Sequence, residues 1–449
     1  MLIIPPFDIT EGPRTIYIPP GVVDPPIVTD PDIEILLEET PLNNVTHSIS
    51  GGLVHLTGNP IEITLQAVKL LPNHRLVLQV SCPLLVTQAP EKIAPDKDLK
   101  AVFDISGLID SPVVYDFDYP PMGLVKAYTD YVFVVTLKIG EEYTDVNGDK
   151  HTTWMNIEGN DDVIRVLKGK LRPFELAALA EDGKSFAVEY IDLGRFLTHL
   201  PSQRTVMPGQ IMKLWYLGRW NVDKEAKMCM SLIFDDGYWA IENKTVTRDF
   251  TLVANGLFEF SVEPYFFGAY FPLTGWTDEL RAHLQSFTFF LRDEAGFEED
   301  MDDPSFDISE RITFEVDRKF YETMYEFHYV NPLSGIDNVV MTGELLQGLK
   351  TESETMKKPI PFGAGTKISG FKKMAAPDLF NWEINTGYKT KAEMIEMRDF
   401  LSSTECWMSE FVPGVWRQLI PVVIEDGNFT LAESDNDIPN ITIKVSEAY

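Results

Sequence analysis

The chain is poor in cysteine, in positive charge and in long apolar runs, and each shortage narrows what it can be. Three cysteines, Cys82, Cys229 and Cys406, are scattered over 449 residues with no C-x-x-C pair. An odd, dispersed set builds neither a disulfide framework nor a zinc site, so buried free thiols are expected. Lysine and arginine total 38 against 69 aspartates and glutamates, for a net charge of −31. So acidic a surface repels phosphate, which excludes a general nucleic-acid binder and argues against docking on anionic lipid. No run of about 18 apolar residues occurs, so no membrane-spanning helix is expected. Met1-Leu2-Ile3-Ile4-Pro5-Pro6 has no basic stretch ahead of an apolar core, so no signal peptide is expected either.

Signatures of chemistry are scarce too. The seven histidines lie at 47, 55, 74, 151, 199, 283 and 328, and none pairs with another at i, i+4. There is no H-E-x-x-H, nucleophile elbow, P-loop or dinucleotide glycine fingerprint. Carboxylates are so many that choosing a glycosidase pair among them has no content. The expectation is a protein that is not an enzyme, with no catalytic residue, no metal ligands and no cofactor.

What is present is β-sequence. Nine prolines fall in the first 41 positions. They exclude helix and favour extended geometry, so residues 1–48 read as an arm. Ile16, Tyr17 and Ile18 sit between the prolines, and a purely solvated tail has no need of them. They are candidate contacts with a neighbouring subunit. Residues 49–183 read as a first β-sandwich. Ile61, Ile63, Leu65 and Ala67 alternate inward, Asn73-His74 turns the chain into Arg75–Val80, and Tyr131–Ile139 is strongly β. Asn147-Gly148 marks a hairpin ahead of Thr152–Ile157. Asp145 to Asp149 falls short of a calcium loop, because the chelating spacing stops after three residues and no distal glutamate follows. A short helix is expected from Pro173, ended by Asp182-Gly183.

Residues 184–228 read as a connecting insert. Trp215, Tyr216 and Trp220 lie on it, either as an interface hot spot or as cover for a domain junction. Residues 229–345 read as a second β-sandwich, closed by a hairpin from Phe320 to Gly343 in which Ser334-Gly335 supplies the tight connection. The acidic run from Glu298 to Asp303 reads as a solvated loop. Residues 346–377, with six lysines between Lys350 and Lys373, read as a polar linker. Residues 378–449 read as an α+β domain whose helix is opened by a capping box, Thr390 with Glu393, and buries Met394, Met397, Phe400 and Leu401. The fold class is therefore mainly β: tandem sandwiches of immunoglobulin or fibronectin type, a C-terminal α+β domain and an extended arm.

The C-terminal third carries a resemblance. Tyr325-Glu326-Phe327-His328-Tyr329-Val330-Asn331-Pro332-Leu333-Ser334-Gly335-Ile336-Asp337 runs into Met341-Thr342-Gly343-Glu344. Trp382-Glu383-Ile384-Asn385-Thr386-Gly387-Tyr388, the capped helix and strands ending at Ala448-Tyr449 follow. This order resembles tail-associated structural proteins of phages and prophages of Bacteroides-type bacteria, over roughly residues 310–449. The resemblance implies a non-enzymatic virion part, such as a ring, collar or baseplate protein. Its implied partners are other tail proteins and copies of itself in a homo-oligomeric ring, and it would be made in the host cytoplasm. The arm and the aromatic insert lie outside the resemblance. A tail-tip adhesion module holding a host glycan or surface protein through Trp215 and Trp220 is the alternative.

Overall fold

The computed structural model describes residues 16–18, 35–37, 45–82, 89–108, 123–128, 131–156, 164–219, 222–235, 244–254, 256–263, 282–294, 303–351, 355–357, 371–373, 378–412, 415, 417–425, 427 and 440–448. Strand makes up 51% and helix 12%, so the chain is mainly β, in several sheets consistent with tandem β-sandwich domains. Two compact units divide it. One comprises Met1–Ser50, Pro60–Ile109 and Val134–Val163; the other comprises Gly51–Asn59, Asp110–Phe133 and Ile164–Tyr449. The chain thus crosses between units several times, where the sequence suggested domains strung in order.

In the first unit, Val45–Ile49, Glu62–Ala67 and Lys100–Asp104 form an antiparallel sheet. The expected alternation holds: Ile61, Ile63, Leu65 and Ala67 are buried while Glu62 and Gln66 are exposed. This follows from the two-residue period of a pleated strand with one face in a core. Val45–Ile49, most of which the sequence assigned to the arm, is a paired strand of this sheet. A second antiparallel group runs Lys150–Asn156, Val132–Thr144, Arg75–Ser81, Glu91–Ile93. Its hairpin turns at Gly148, φ 88°, and Asp145 Oδ1 accepts from the amides of Asn147 and Asp149, both at 2.8 Å. That carboxylate is therefore committed to the turn, as the hairpin reading requires. Gly140 is needed for close approach: a Cβ there would lie 2.2 Å from Thr153 O. Within this sheet His74 Nε2 and Glu141 Oε2 pair at 3.0 Å, fully buried.

In the second unit, a five-stranded sheet has the order Gln203–Val206, Ile312–Val316, Leu284–Asp293, Lys224–Phe234, Lys244–Leu252. A three-stranded sheet, Met212–Leu217, Leu257–Val262, Val125–Tyr128, lies against it. Leu214, Tyr216 and Phe260 share one core with Met230, Phe287 and Phe289. The opposite face of Met212–Leu217 offers Trp215 and Leu217 to a second cluster holding Val54, Leu56, Leu333 and Ile336. That strand is thus buried on both faces, as every one of its six residues shows. The reading of residues 184–228 as an insert is corrected accordingly. Its Lys213 hid the strand from an apolar count, yet that lysine is itself buried, paired with Glu259 and donating to Ser261 Oγ at 3.1 Å.

A seven-stranded antiparallel sheet completes the unit: Ile336–Met341, Tyr325–Val330, Cys406–Glu410, Ile420–Ile424, Thr442–Glu447, Asp378–Asn385, Leu345–Thr351. The hairpin of residues 325–341 therefore belongs with the C-terminal strands and does not close a domain at 345. The expected linker contributes the edge strand Leu345–Thr351 and an antiparallel pair, Thr355–Lys357 with Phe371–Lys373. Ser334, φ 77°, makes the turn, and Asn331 Oδ1 accepts from the amides of Leu333 and Gly335 at 2.9 Å each.

Among the described residues, two α-helices lie with these sheets. Helix α1, Pro173–Glu181, starts at its proline and stops where Gly183 takes φ 68°. Helix α2, Lys391–Leu401, opens on the expected capping box. Thr390 Oγ1 accepts from the Glu393 amide at 3.2 Å, and Glu393 Oε2 accepts from the Thr390 amide at 2.9 Å. Met394, Met397 and Phe400 fill the core of the seven-stranded sheet, with Leu401 packed against it. The three cysteines are free and buried, and burial pushes the Cys229 thiol up to about 12. Among the described residues no helix is long and apolar enough to cross a membrane.

Candidate functional site

Two constellations in the second unit bring polar groups together. The first joins the two helices. His199 Nδ1 lies 2.6 Å from Asp399 Oδ2 and 4.0 Å from Glu175 Oε1. These three ligand-type side chains converge, from α1, the segment after the π-helical turn Ala187–Asp192, and α2. The same carboxylates also face two guanidiniums. Arg172 Nη2 is 2.8 Å from Asp399 Oδ1, in a charge contact without hydrogen-bond alignment, and Arg398 Nη2 is 3.3 Å from Glu175 Oε1. Two positive charges already balance the two carboxylates, so a metal ion would have to displace both arginines. Arg398 also stacks on Phe174, 5.1 Å from the ring centroid. The donor set suits a clamp between helices and not a metal centre.

The second constellation is a groove of about 940 Å³ at the start of α2, walled by the segment from Asp317 to Tyr321 and by strands of the seven-stranded sheet. Its surface mixes hydroxyl, amide and charged groups with apolar surface that includes Met207 and Leu346. Tyr388 stands 76% exposed beside it. Several of its acids are already engaged: Glu383 pairs with Lys444 at 2.6 Å, and Asp317 accepts from Tyr321 Oη at 2.7 Å. Gly387, φ 71°, brings Tyr388 and Lys389 to the rim; a Cβ on it would sit 2.1 Å from Thr342 Oγ1.

The groove adjoins an inner cavity of about 40 Å³, the two sharing Thr205, Met207, Lys389 and Glu393. Arg204, Gln210 and Tyr329 also line the inner space. Arg204 donates from Nε to Pro201 O at 2.7 Å and from Nη2 to Leu200 O at 3.3 Å. Its Nη1 is buried with no hydrogen-bond partner. Burial holds the guanidinium below its ordinary value, with Asp337 acting in the other direction. Burial likewise lowers the Lys389 ammonium, against the raising effect of Glu393 and Asp317. Behind Arg204, burial raises the Asp337 carboxyl to about 6 even though Asn331 and Thr198 donate to it at 2.8 and 3.0 Å.

The residues singled out from sequence fare differently. Ile16–Ile18 is a strand paired in parallel with Ile35–Leu37. Trp215 and Tyr216 are 1% and 0% exposed. Trp215 Nε1 donates to Ile336 O at 3.0 Å and Tyr216 Oη to Ile308 O at 2.9 Å. Both are therefore core residues of their own chain, and the reading that offered them to a partner or a glycan is corrected. Trp220 lies outside the described residues. Trp215 and Tyr216 fall in different core clusters on opposite faces of their strand. Arg204 and Lys389 were missed because a lone arginine and a lone lysine 185 positions apart carry no local pattern. The capping box at Thr390 was the nearest available signal.

No family model and no curated protein matches the chain. Among solved structures it is similar to one described as the crystal structure of CBD12 from CALX1.2, at 9% identity, covering 61% of this chain and 99% of that one, with a TM-score of 0.17.

Proposed function

We propose that the chain is a non-enzymatic structural subunit of a phage virion, a ring, collar or baseplate protein of the tail. It works through contacts with copies of itself and with other tail proteins. The observation that carries this reading is the ladder between Ile16–Ile18 and Ile35–Leu37, which pairs with no other described strand. Two strands of three residues are too short to be stable alone. Their outward edges offer backbone donors and acceptors to a neighbouring chain. An acidic surface suits a subunit that stays dispersed until it is built in. The resemblance of residues 310–449 to phage tail proteins supports the same reading. Deleting residues 1–42 tests it: particles should fail to assemble. Normal particles, together with a monomeric isolated protein in both versions, sink the idea.

The groove favours a second reading, an adhesion module at the tail tip that holds a host glycan. A groove of mixed polar and apolar surface with an exposed tyrosine at its rim has the character of a sugar site, where the aromatic face meets C–H groups and the amides and hydroxyls meet the sugar's oxygens. In that case the site lies around Tyr388 and not on the buried tryptophan of the insert.

A further inference from the structure

Arg204 and Lys389 present a physical puzzle. Arg204 lies on the strand Gln203–Val206 and Lys389 in the turn just ahead of α2, and both line the same inner cavity. Arg204 is 5% exposed and Lys389 is half-buried; among the described residues neither makes an ion pair within 4 Å, and Asp337 acts on Arg204 only from farther off. Two other buried cations are closely paired, Lys213 with Glu259 and Arg292 with Asp307 at 3.2 Å, while Arg165 Nη1 donates to Gly218 O at 2.8 Å. An uncompensated buried cation is costly, and such a group is ordinarily neutralised by a partner. Glu393, the carboxylate among the described residues lining the cavity, acts on Lys389 without an ion pair within 4 Å, its oxygens being held by other donors. Its Oε1 accepts from the Thr205 amide at 3.3 Å and its Oε2 from Thr390, through the amide at 2.9 Å and Oγ1 at 2.8 Å.

The cavity's size points the same way. Its 40 Å³ corresponds to about three water positions, the bulk of one carboxylate group. Gln210, 3% exposed, adds an amide whose Oε1 is used by the Met207 amide at 3.0 Å, which turns its Nε2 toward the role of donor. Outside, the groove of about 940 Å³ has room for a few pyranose rings and a lining of threonine, asparagine and tyrosine. Together with the apolar surface at Met207 and Leu346, these groups suit a sugar ring, which has hydroxyl edges and C–H faces.

The geometry points to a ligand that is an acidic sugar, a sialic or uronic acid at the end of a glycan, with its carboxylate in the inner cavity between Lys389 and Arg204 and its ring in the groove beside Tyr388. This rests on the glycan-binding reading and narrows it to one class of glycan. The carboxylate would supply the missing counter-charge in a charge-assisted contact, which gives both strength and discrimination. A neutral sugar would leave Arg204 and Lys389 with no directly bonded counter-charge, so acidic sugars should be preferred.

The test uses the full chain and isothermal titration with N-acetylneuraminic acid, glucuronic acid, galactose, acetate and an acidic peptide. Acidic sugars should bind at least about tenfold more tightly than galactose and than acetate. Lys389→Met should remove that preference, Lys389→Arg should retain it, and Tyr388→Ala should weaken acidic and neutral sugars alike. Thermal unfolding of each variant separates lost binding from lost folding. Equal binding of galactose and the acids overturns the carboxylate assignment but leaves the glycan reading standing. No sugar binding at all overturns both. Acetate or the acidic peptide binding as tightly as the sugars overturns the assignment to a sugar.

Discussion

At the scale of the residue, burial decides what an ambiguous side chain is for. Trp215 is the clearest example: aromatic, near two other aromatics in sequence, and yet 1% exposed with its indole donor satisfied inside the chain. Its ring also stacks on Tyr128 at 5.1 Å between centroids. Trp215→Ala should therefore cost about 3–5 kcal/mol of folding stability, measured by urea denaturation, as expected for truncating a large buried aromatic. An unchanged midpoint with weakened assembly would restore the interface reading. Asp337 makes a second prediction. Its carboxyl is raised from 3.8 to about 6, chiefly by burial. The folded state then holds a proton that the unfolded state releases, so stability falls as pH rises from about 4 through 6. The full rise corresponds to about 3 kcal/mol. Asp337→Asn should flatten that fall: relative to the parent, the variant should gain in Tm between pH 4 and pH 7. Parallel curves for the two proteins would refute it.

At the scale of the element, local rules were readable wherever one face of a strand or helix meets a core. The strand Glu62–Ala67 alternates as its sequence does. Helix α2 begins where Thr390 and Glu393 say it should. Thr390→Ala should lower stability by about 1 kcal/mol, read from chemical denaturation, since it leaves the Glu393 amide without its acceptor. Thr390→Ser should restore most of it. Strands buried on both faces gave no such signal. Met212–Leu217 has no alternation and was missed, its Lys213 being matched by Glu259 and Ser261 only across the sheet, whereas Leu257–Val262 was legible as the strand Gly256 to Val262 from its β-forming residues. Periodicity reports one partner face; it is silent when there are two.

At the scale of the whole molecule, net charge is the property most open to experiment. With −31 charges, the folded chain repels itself and its copies. Raising sodium chloride from about 50 to about 500 mM shortens the Debye length from roughly 14 to 4 Å, so self-association in sedimentation velocity should increase with salt. Association that weakens with salt would instead mean attractive charge contacts between subunits. The amino-acid order alone determined the β-rich class, the alternating strands, both helix starts, the Asn147 turn and the free thiols, because each depends on neighbours a few positions away. The crossing of the chain between two units, the joining of the 325–341 hairpin to the C-terminal strands, and the meeting of Arg204 with Lys389 were decided by tertiary structure. Those depend on contacts between residues far apart in the chain, where no local pattern records which distant face will supply the partner.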